Sequence, residues 1–419
     1  MIKPIFNQLS NGLNVVLLPS KEIETVVVQL RGKAGSNYEK EGEIGAAHFL
    51  EHFVLKGTDN YPNHKKLTQL INDVGGKFVG ATSRDDVLFG VHVLKEDIEN
   101  ALIFLSEIFY KSLLEEKNVR NLKDVIKQEI LRYNDMPEKL IGRIGYRILF
   151  PENRLAKLNT GESDDVERLN LRIIKSFQER TYTNNNFILV ICGNFDDDET
   201  GQLINKYFTQ KTNDFESESV ELTQNQGLEV QVAQTPSLTQ HYIKLDFHGY
   251  KISDVRKYPS AIFAKILNMY LKEKLVEDQG LVYQLSCDSY AAGNYGLFGI
   301  YTSTNDKNFE KVLGIIKNSK NEFESYLTTK NVNQAKNILC ANLAFLIEKP
   351  SIRANYYSEL ILHGRPEQDY DYEVNQIRNT NLNEITLVVD EISKQDPKLT
   401  VISNKFDVEK VKGFWLQDY

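Results

Sequence analysis

Apolar residues fall into short runs from the start of the chain. Gly12-Leu13-Asn14-Val15-Val16-Leu17-Leu18 reads as a strand closed by Pro19, and Thr25-Val26-Val27-Val28-Gln29-Leu30 as a second strand beyond a polar turn. Gly35-Ser36-Asn37 breaks this pattern, and a helix is expected over residues 44–56. A further helix at 67–74 stops at Gly75-Gly76. Residues 77–93 alternate well enough for one long strand or a hairpin, and two helices follow at about 95–113 and 115–134. Strand, strand, helix is the opening of an α+β layer.

A weaker copy begins 215 residues later. Gly227-Leu228-Glu229-Val230-Gln231-Val232 echoes the run from Gly12, residues 241–247 stand in for the second strand, and a helix at about 259–277 stands in for the one at 44–56. Between the copies, residues 213–219 and Gln224-Asn225-Gln226 are polar and partly acidic, which suits a linker. The expected fold is therefore α+β: two tandem, similarly built α/β domains, 1–217 and 218–419. Each would be a mixed sheet with helices packed on one face.

Composition narrows the function. The chain has 419 residues, 41% of them hydrophobic and 26% charged, which suits a folded globular protein. No run approaches ~18 apolar residues, so no membrane span is expected. The net charge of −8, with Lys65-Lys66 too few to mark a basic patch, speaks against nucleic acid as a partner. Cys192, Cys287 and Cys340 lie far apart and read as buried thiols of a reducing compartment. Together with an N-terminus that lacks an apolar signal stretch, they predict a cytoplasmic location.

The chemistry concentrates in His48-Phe49-Leu50-Glu51-His52. His48 and His52 are one helical turn apart on one face, a spacing that lets two imidazoles reach a single Zn²⁺ at ~2.0–2.1 Å. Glu51 leans beside that point and could hold a water without being a ligand. The plainer alternative is a helix whose His side chains pair with neighbours. Catalytic zinc usually takes a third protein ligand, and Glu129 is the candidate. It interrupts the apolar stripe Leu122, Val125, Ile126 and Tyr133, where an unpaired buried carboxylate would be costly. Periodicity alone leaves open a surface Glu paired with Lys or Arg. His64, His92, His241, His248 and His363 read as capping or sheet histidines, not ligands.

His48-x-x-Glu51-His52 followed by Glu129 resembles the inverzincin family of insulysin, pitrilysin and mitochondrial processing peptidase. The likeness extends through Gly35-Ser36-Asn37-Tyr38-Glu39, Lys56-Gly57-Thr58, Gly75-Gly76 with Thr82-Ser83, Glu129-Ile130 with Asp135 and Pro137, Gly280-Leu281-Val282-Tyr283, and the run Tyr295 to Tyr301. The resemblance implies a zinc endopeptidase acting on extended peptides, with one Zn²⁺ per chain on His48, His52 and Glu129 and with Glu51 as general base. It implies a substrate strand along Lys77, Phe78, Val79, Gly80 and Ala81, a supporting Tyr283, and two-domain chains pairing into a four-domain chamber. Three positions depart from the family pattern. Leu122 stands where an acidic residue is frequent, Val79 where Asn is usual, and Val276 where many members place an Arg seven residues before the Tyr. The last departure points to a heterodimer with a homologous chain that supplies an Arg-Tyr pair, with a homodimer as alternative. Rival expectations are a maturase trimming one leader peptide and a non-catalytic assembly or peptide-binding subunit.

Overall fold

The computed structural model describes residues 3–216, 225, 227–235 and 238–417. The boundary expected at 217/218, with residues 217–219, 224 and 226 of the expected linker, lies outside them. The chain forms two compact units: Met1–Leu131, Lys157–Val220 and Ala344–Asp369 in one, Arg132–Ala156, Glu221–Leu343 and Tyr370–Tyr419 in the other. Each unit thus differs from a contiguous half of the chain by an exchanged segment.

The first unit holds a mixed sheet of β1 (Ile5–Gln8), β2 (Asn14–Pro19), β3 (Thr25–Gly32), β4 (Lys77–Thr82), β5 (Val87–Leu94) and β6 (Phe187–Gly193), in the order β1-β2-β6-β3-β5-β4. β2 and β6 run parallel, and the other neighbours antiparallel. Residues 77–93 are thus a hairpin whose first strand, β4, forms the sheet edge. Val15 and Leu17 enter the main core with α1 (Ala46–Phe53), α2 (His64–Asn72), α3 (Ile98–Tyr110) and α4 (Glu116–Asn134). Val16 and Leu18, pointing the other way, join Val27, Ile188, Val190 and Cys192 beneath Ala354, Tyr357, Leu360 and Leu362 of the helix Pro350–Leu362. Both faces of the sheet are buried, so its inner strands read as nearly unbroken apolar runs. α2 starts three residues before the expected position because the Asn63 side chain caps it, accepting from Lys66 N–H at 3.0 Å.

The second unit repeats the plan. Its strands are β7 (Glu229–Gln234), β8 (His241–His248), β9 (Leu285–Ala291), β10 (Gly296–Thr304) and β11 (Lys398–Ser403), in the order β7-β11-β8-β10-β9. The parallel pair is β7 and β11, matching β2 and β6 strand for strand. The helix Lys257–Lys272, extended by a π-helical turn at Glu273–Glu277, covers one face. α5 (Pro137–Leu149), an earlier stretch of the chain, lies on the other, where a Cβ on Gly145 would strike the Asp246 carboxylate.

The expectation of helices on one face is therefore corrected: each sheet carries helix on both. The covering helix comes in each case from the exchanged segment, and local periodicity cannot announce a partner so distant in sequence. All three cysteines are free and buried, and no described helix is long and apolar enough to cross a membrane.

Two half-buried histidines make stability depend on pH. Burial, with Lys33 and Arg31 nearby, pushes the His363 imidazole down to about 4, and burial beside Lys398 does the same to His248. An unfolded chain would take up these protons near pH ~6.5, so stability is lost as pH falls from there toward 4. The expected loss is on the order of 1–2 kcal/mol per histidine after screening. The combined variant H363N and H248N should flatten the fall in thermal unfolding temperature between pH 6.5 and 4.5. An unchanged slope would refute the assignment.

Candidate metal centre

At eight residues, α1 is too short to persist alone, and tertiary contacts hold it. Its N-terminus depends on Gly45, whose φ of +87° is left-handed and where a Cβ would meet the Thr160 carbonyl oxygen at 2.7 Å. The free Ala47 N–H donates to Glu39 Oε1 at 3.0 Å, and Arg180 ties Glu43 to the Tyr38 carbonyl. Ala46, Ala47, Phe49, Leu50 and Phe53 are buried around the helix, and so are two of its polar residues, His48 and Glu51.

The imidazoles of His48 and His52 lie 4.7 Å apart between centroids. Glu129 reaches them from α4, whose buried side is Val119, Leu122, Ile126 and Ile130. Val125, expected on that stripe, is instead 48% exposed. Glu129 Oε2 lies 3.2 Å from His48 Nε2 and 3.5 Å from His52 Nε2. One ligand atom from each of the three residues falls within 4.8 Å of the other two. Glu129 thus faces the two histidines.

Electrostatics say what the site accepts. Burial alone would lower the His48 pKa, but hydrogen bonds to the Glu129 and Glu51 carboxylates outweigh it and raise it to about 9. The pocket thus favours positive charge between its carboxylates. Two imidazoles and one carboxylate converging from two helices form a donor set used for catalytic zinc, and the residues fit that ion.

Glu51 stands next to this triad. Its Oε2 lies 3.5 Å from His48 Nδ1 and accepts from Thr82 Oγ1 at 2.6 Å. Oε1 lies against Gly80, where a Cβ would come within 2.7 Å of it. The expected substrate strand, Lys77 to Ala81, is most of β4. Phe78, Gly80 and Thr82 point inward from it, while Lys77, Val79 and Ala81 are exposed. Tyr283 belongs to the second unit, on the turn before β9, and is 91% exposed. Leu122 is fully buried in the first core, and Val276 packs against the second. Sequence reading passed over Thr82 as a functional residue; alternation along β4 was the signal that puts it on the same face as Gly80.

Comparison with known proteins gives a consistent picture. Residues 15–157 match the family Insulinase (Peptidase family M16), and residues 168–339 match the Peptidase M16 inactive domain. A protein of Rickettsia bellii described as an uncharacterized zinc protease is 27% identical, over 84% of this chain and 86% of its own length. The mitochondrial-processing peptidase subunit beta of Saccharomyces cerevisiae is 26% identical over 48% of this chain and 45% of its own. The crystal structure of a protease from Helicobacter pylori superposes with a TM-score of 0.87 at 18% identity, covering 96% of this chain and all of that one.

Metal analysis of purified variants tests the donor set. His48→Ala, His52→Ala and Glu129→Gln should each weaken zinc binding, with affinity reduced by more than about 100-fold. Glu51→Gln should keep it. Zinc retained after removal of any one of the three would refute the assignment.

Proposed function

Because the chain belongs to the insulinase family of peptidases, we propose that it is a zinc-dependent endopeptidase cutting extended peptides and unfolded segments. The observation that carries this reading is the convergence of His48, His52 and Glu129, with the Glu51 carboxylate held beside them but outside the triad. The relatives described as zinc proteases support it.

Zinc on these three residues supplies Lewis-acid polarisation of a peptide carbonyl and lowers the pKa of water at the site. The remaining steps belong to the protein. Glu51 accepts the proton as water adds to the scissile carbonyl carbon, then delivers it to the departing amine nitrogen. With Oε2 engaged by Thr82, Oε1 is the oxygen left to carry that proton. A peptide laid along β4 would extend the sheet by one strand, paired through its main chain. Such pairing tolerates many sequences but requires the substrate to be unfolded locally.

The second unit presents no comparable set on the helix Lys257–Lys272, whose buried positions include Tyr258, Ile262, Phe263, Ile266, Leu267 and Tyr270 but no His, Asp or Glu. Val276 occupies the position where an Arg would precede Tyr283, so the chamber would draw its Arg-Tyr pair from a homologous partner chain in a heterodimer. The similarity to a protein named as a beta subunit supports that arrangement. The second reading, a non-catalytic peptide-binding subunit, rests on the same Val276.

The test is cleavage of a mixed library of unstructured peptides by the zinc-loaded chain, beside Glu51→Gln. Turnover should fall by about 10²–10⁴-fold in the variant. Cleavage by the chain alone at the rate of any mixed complex would overturn the heterodimer. Tight zinc and peptide binding with no Glu51-dependent turnover, alone or mixed with homologous chains, would establish the second reading.

A further inference from the structure

We infer that Thr82 is a positioning residue: its hydroxyl, reaching Glu51 from the sheet edge, sets which carboxylate oxygen faces the reaction. This rests on the peptidase reading above and adds a residue to it. Thr82 Oγ1 donates to Glu51 Oε2 at 2.6 Å, a short bond of the charge-assisted kind. The same oxygen lies 3.5 Å from His48 Nδ1, so Oε2 is held from two sides. On the other side Gly80, two residues earlier on the same face of β4, leaves room for Oε1 and for little else. A Cβ there would sit 2.7 Å from Oε1 and 3.2 Å from Glu51 Cγ. One strand therefore fixes one oxygen with a hydroxyl and flanks the other with a missing side chain.

Thr82 is itself anchored. It ends β4 opposite Val87, and its carbonyl accepts from Asn159 Nδ2 at 2.9 Å. Its β-branched side chain has few rotamers in a strand, so the hydroxyl is presented with little freedom. Glu51, by contrast, is a flexible side chain on a short helix, and His48 Nδ1 at 3.5 Å holds it less closely than the Thr82 hydroxyl at 2.6 Å. The strand to which a substrate would add is thus also the strand that orients the base.

Thr82→Val keeps the branched shape and removes the donor, whereas Thr82→Ser keeps the donor. With the full chain in whichever assembly is active, Thr82→Val should lower kcat by about 10- to 100-fold, with KM within a factor of about two. Thr82→Ser should recover most of that loss. Added to Glu51→Gln, Thr82→Val should cost nothing further. Zinc content and unfolding temperature should match wild type in both variants. Crystal structures of wild type and Thr82→Val give a readout independent of turnover, and the Glu51 carboxylate should lose its single orientation in the variant. An unchanged kcat, or an unmoved Glu51 in the crystal, overturns the proposal. So does a Thr82→Val loss that comes with zinc loss or unfolding, since that marks a structural role. If zinc-loaded wild type cuts no peptide in any assembly, the peptidase reading fails, and the crystal comparison alone decides what Thr82 does.

Discussion

Placing His48 and Glu51 inside a hydrophobic core is the constraint from which the rest of the first unit follows. An isolated charge removed from water costs several kcal/mol, and only partners with good geometry offset that cost. α1 supplies only part of that partnership, His48 Nδ1 lying 3.5 Å from Glu51 Oε2, because most of its other side chains are the apolar anchors that hold it in place. The other partners come from elsewhere: Glu129 from α4 and Thr82 from the sheet edge. Each brings its own requirement. α4 must bury Leu122, Ile126 and Ile130 so that Glu129 faces inward, and β4 must pass close enough for a hydroxyl to reach Glu51. Gly45 and Gly80 are where backbone and side chains approach too closely for a Cβ.

What was legible in the sequence was what is local. The strands near residues 12–18 and 25–30, the α1 histidines and the Gly75-Gly76 stop are written within a few residues, and the structure has the corresponding elements. The rest depends on distant pairing. β6 and β11 are buried along their whole length and sit inside their sheets, so neither shows an alternation that would declare its neighbours. α5 and the helix Pro350–Leu362 cover sheets built mainly from other parts of the chain, which no window of sequence reveals. Val125 was misplaced because an apolar residue at helical spacing need not face the core, and here it is exposed. Thr82 was missed for the opposite reason: its role lies in one hydrogen bond to a residue 31 positions away.

The second sheet repeats the strand order of the first without a counterpart of β1, yet the rear faces of the two sheets are held differently. In the first, Val16, Leu18, Val27, Ile188 and Val190 meet apolar side chains, and dispersion and water exclusion suffice. In the second, Lys244 and the fully buried Asp246 form an ion pair beneath α5, and Lys398 is buried nearby. Replacing such a pair with apolar residues is often neutral or stabilising, so it is weak as a source of stability, but removing one partner is costly. The sequence of one copy therefore cannot be exchanged for the other, although the topologies coincide. The repeat preserves a backbone plan and leaves the chemistry of each face to diverge.

Val79 and Gly80 are where that divergence meets the proposed reaction. Glycine inside a strand costs roughly 0.5–1 kcal/mol relative to alanine, and an edge strand has few contacts with which to recover it. The cost is intelligible if the space itself is required, as the 2.7 Å approach to Glu51 Oε1 indicates. Val79, pointing the other way and 51% exposed, can offer a peptide only apolar contact. Main-chain pairing along β4 would then carry more of the substrate's orientation, and it weakens wherever the strand is disturbed. A loosened β4 would release the peptide and the base together, because the same short strand provides the pairing edge and the Thr82 hydroxyl.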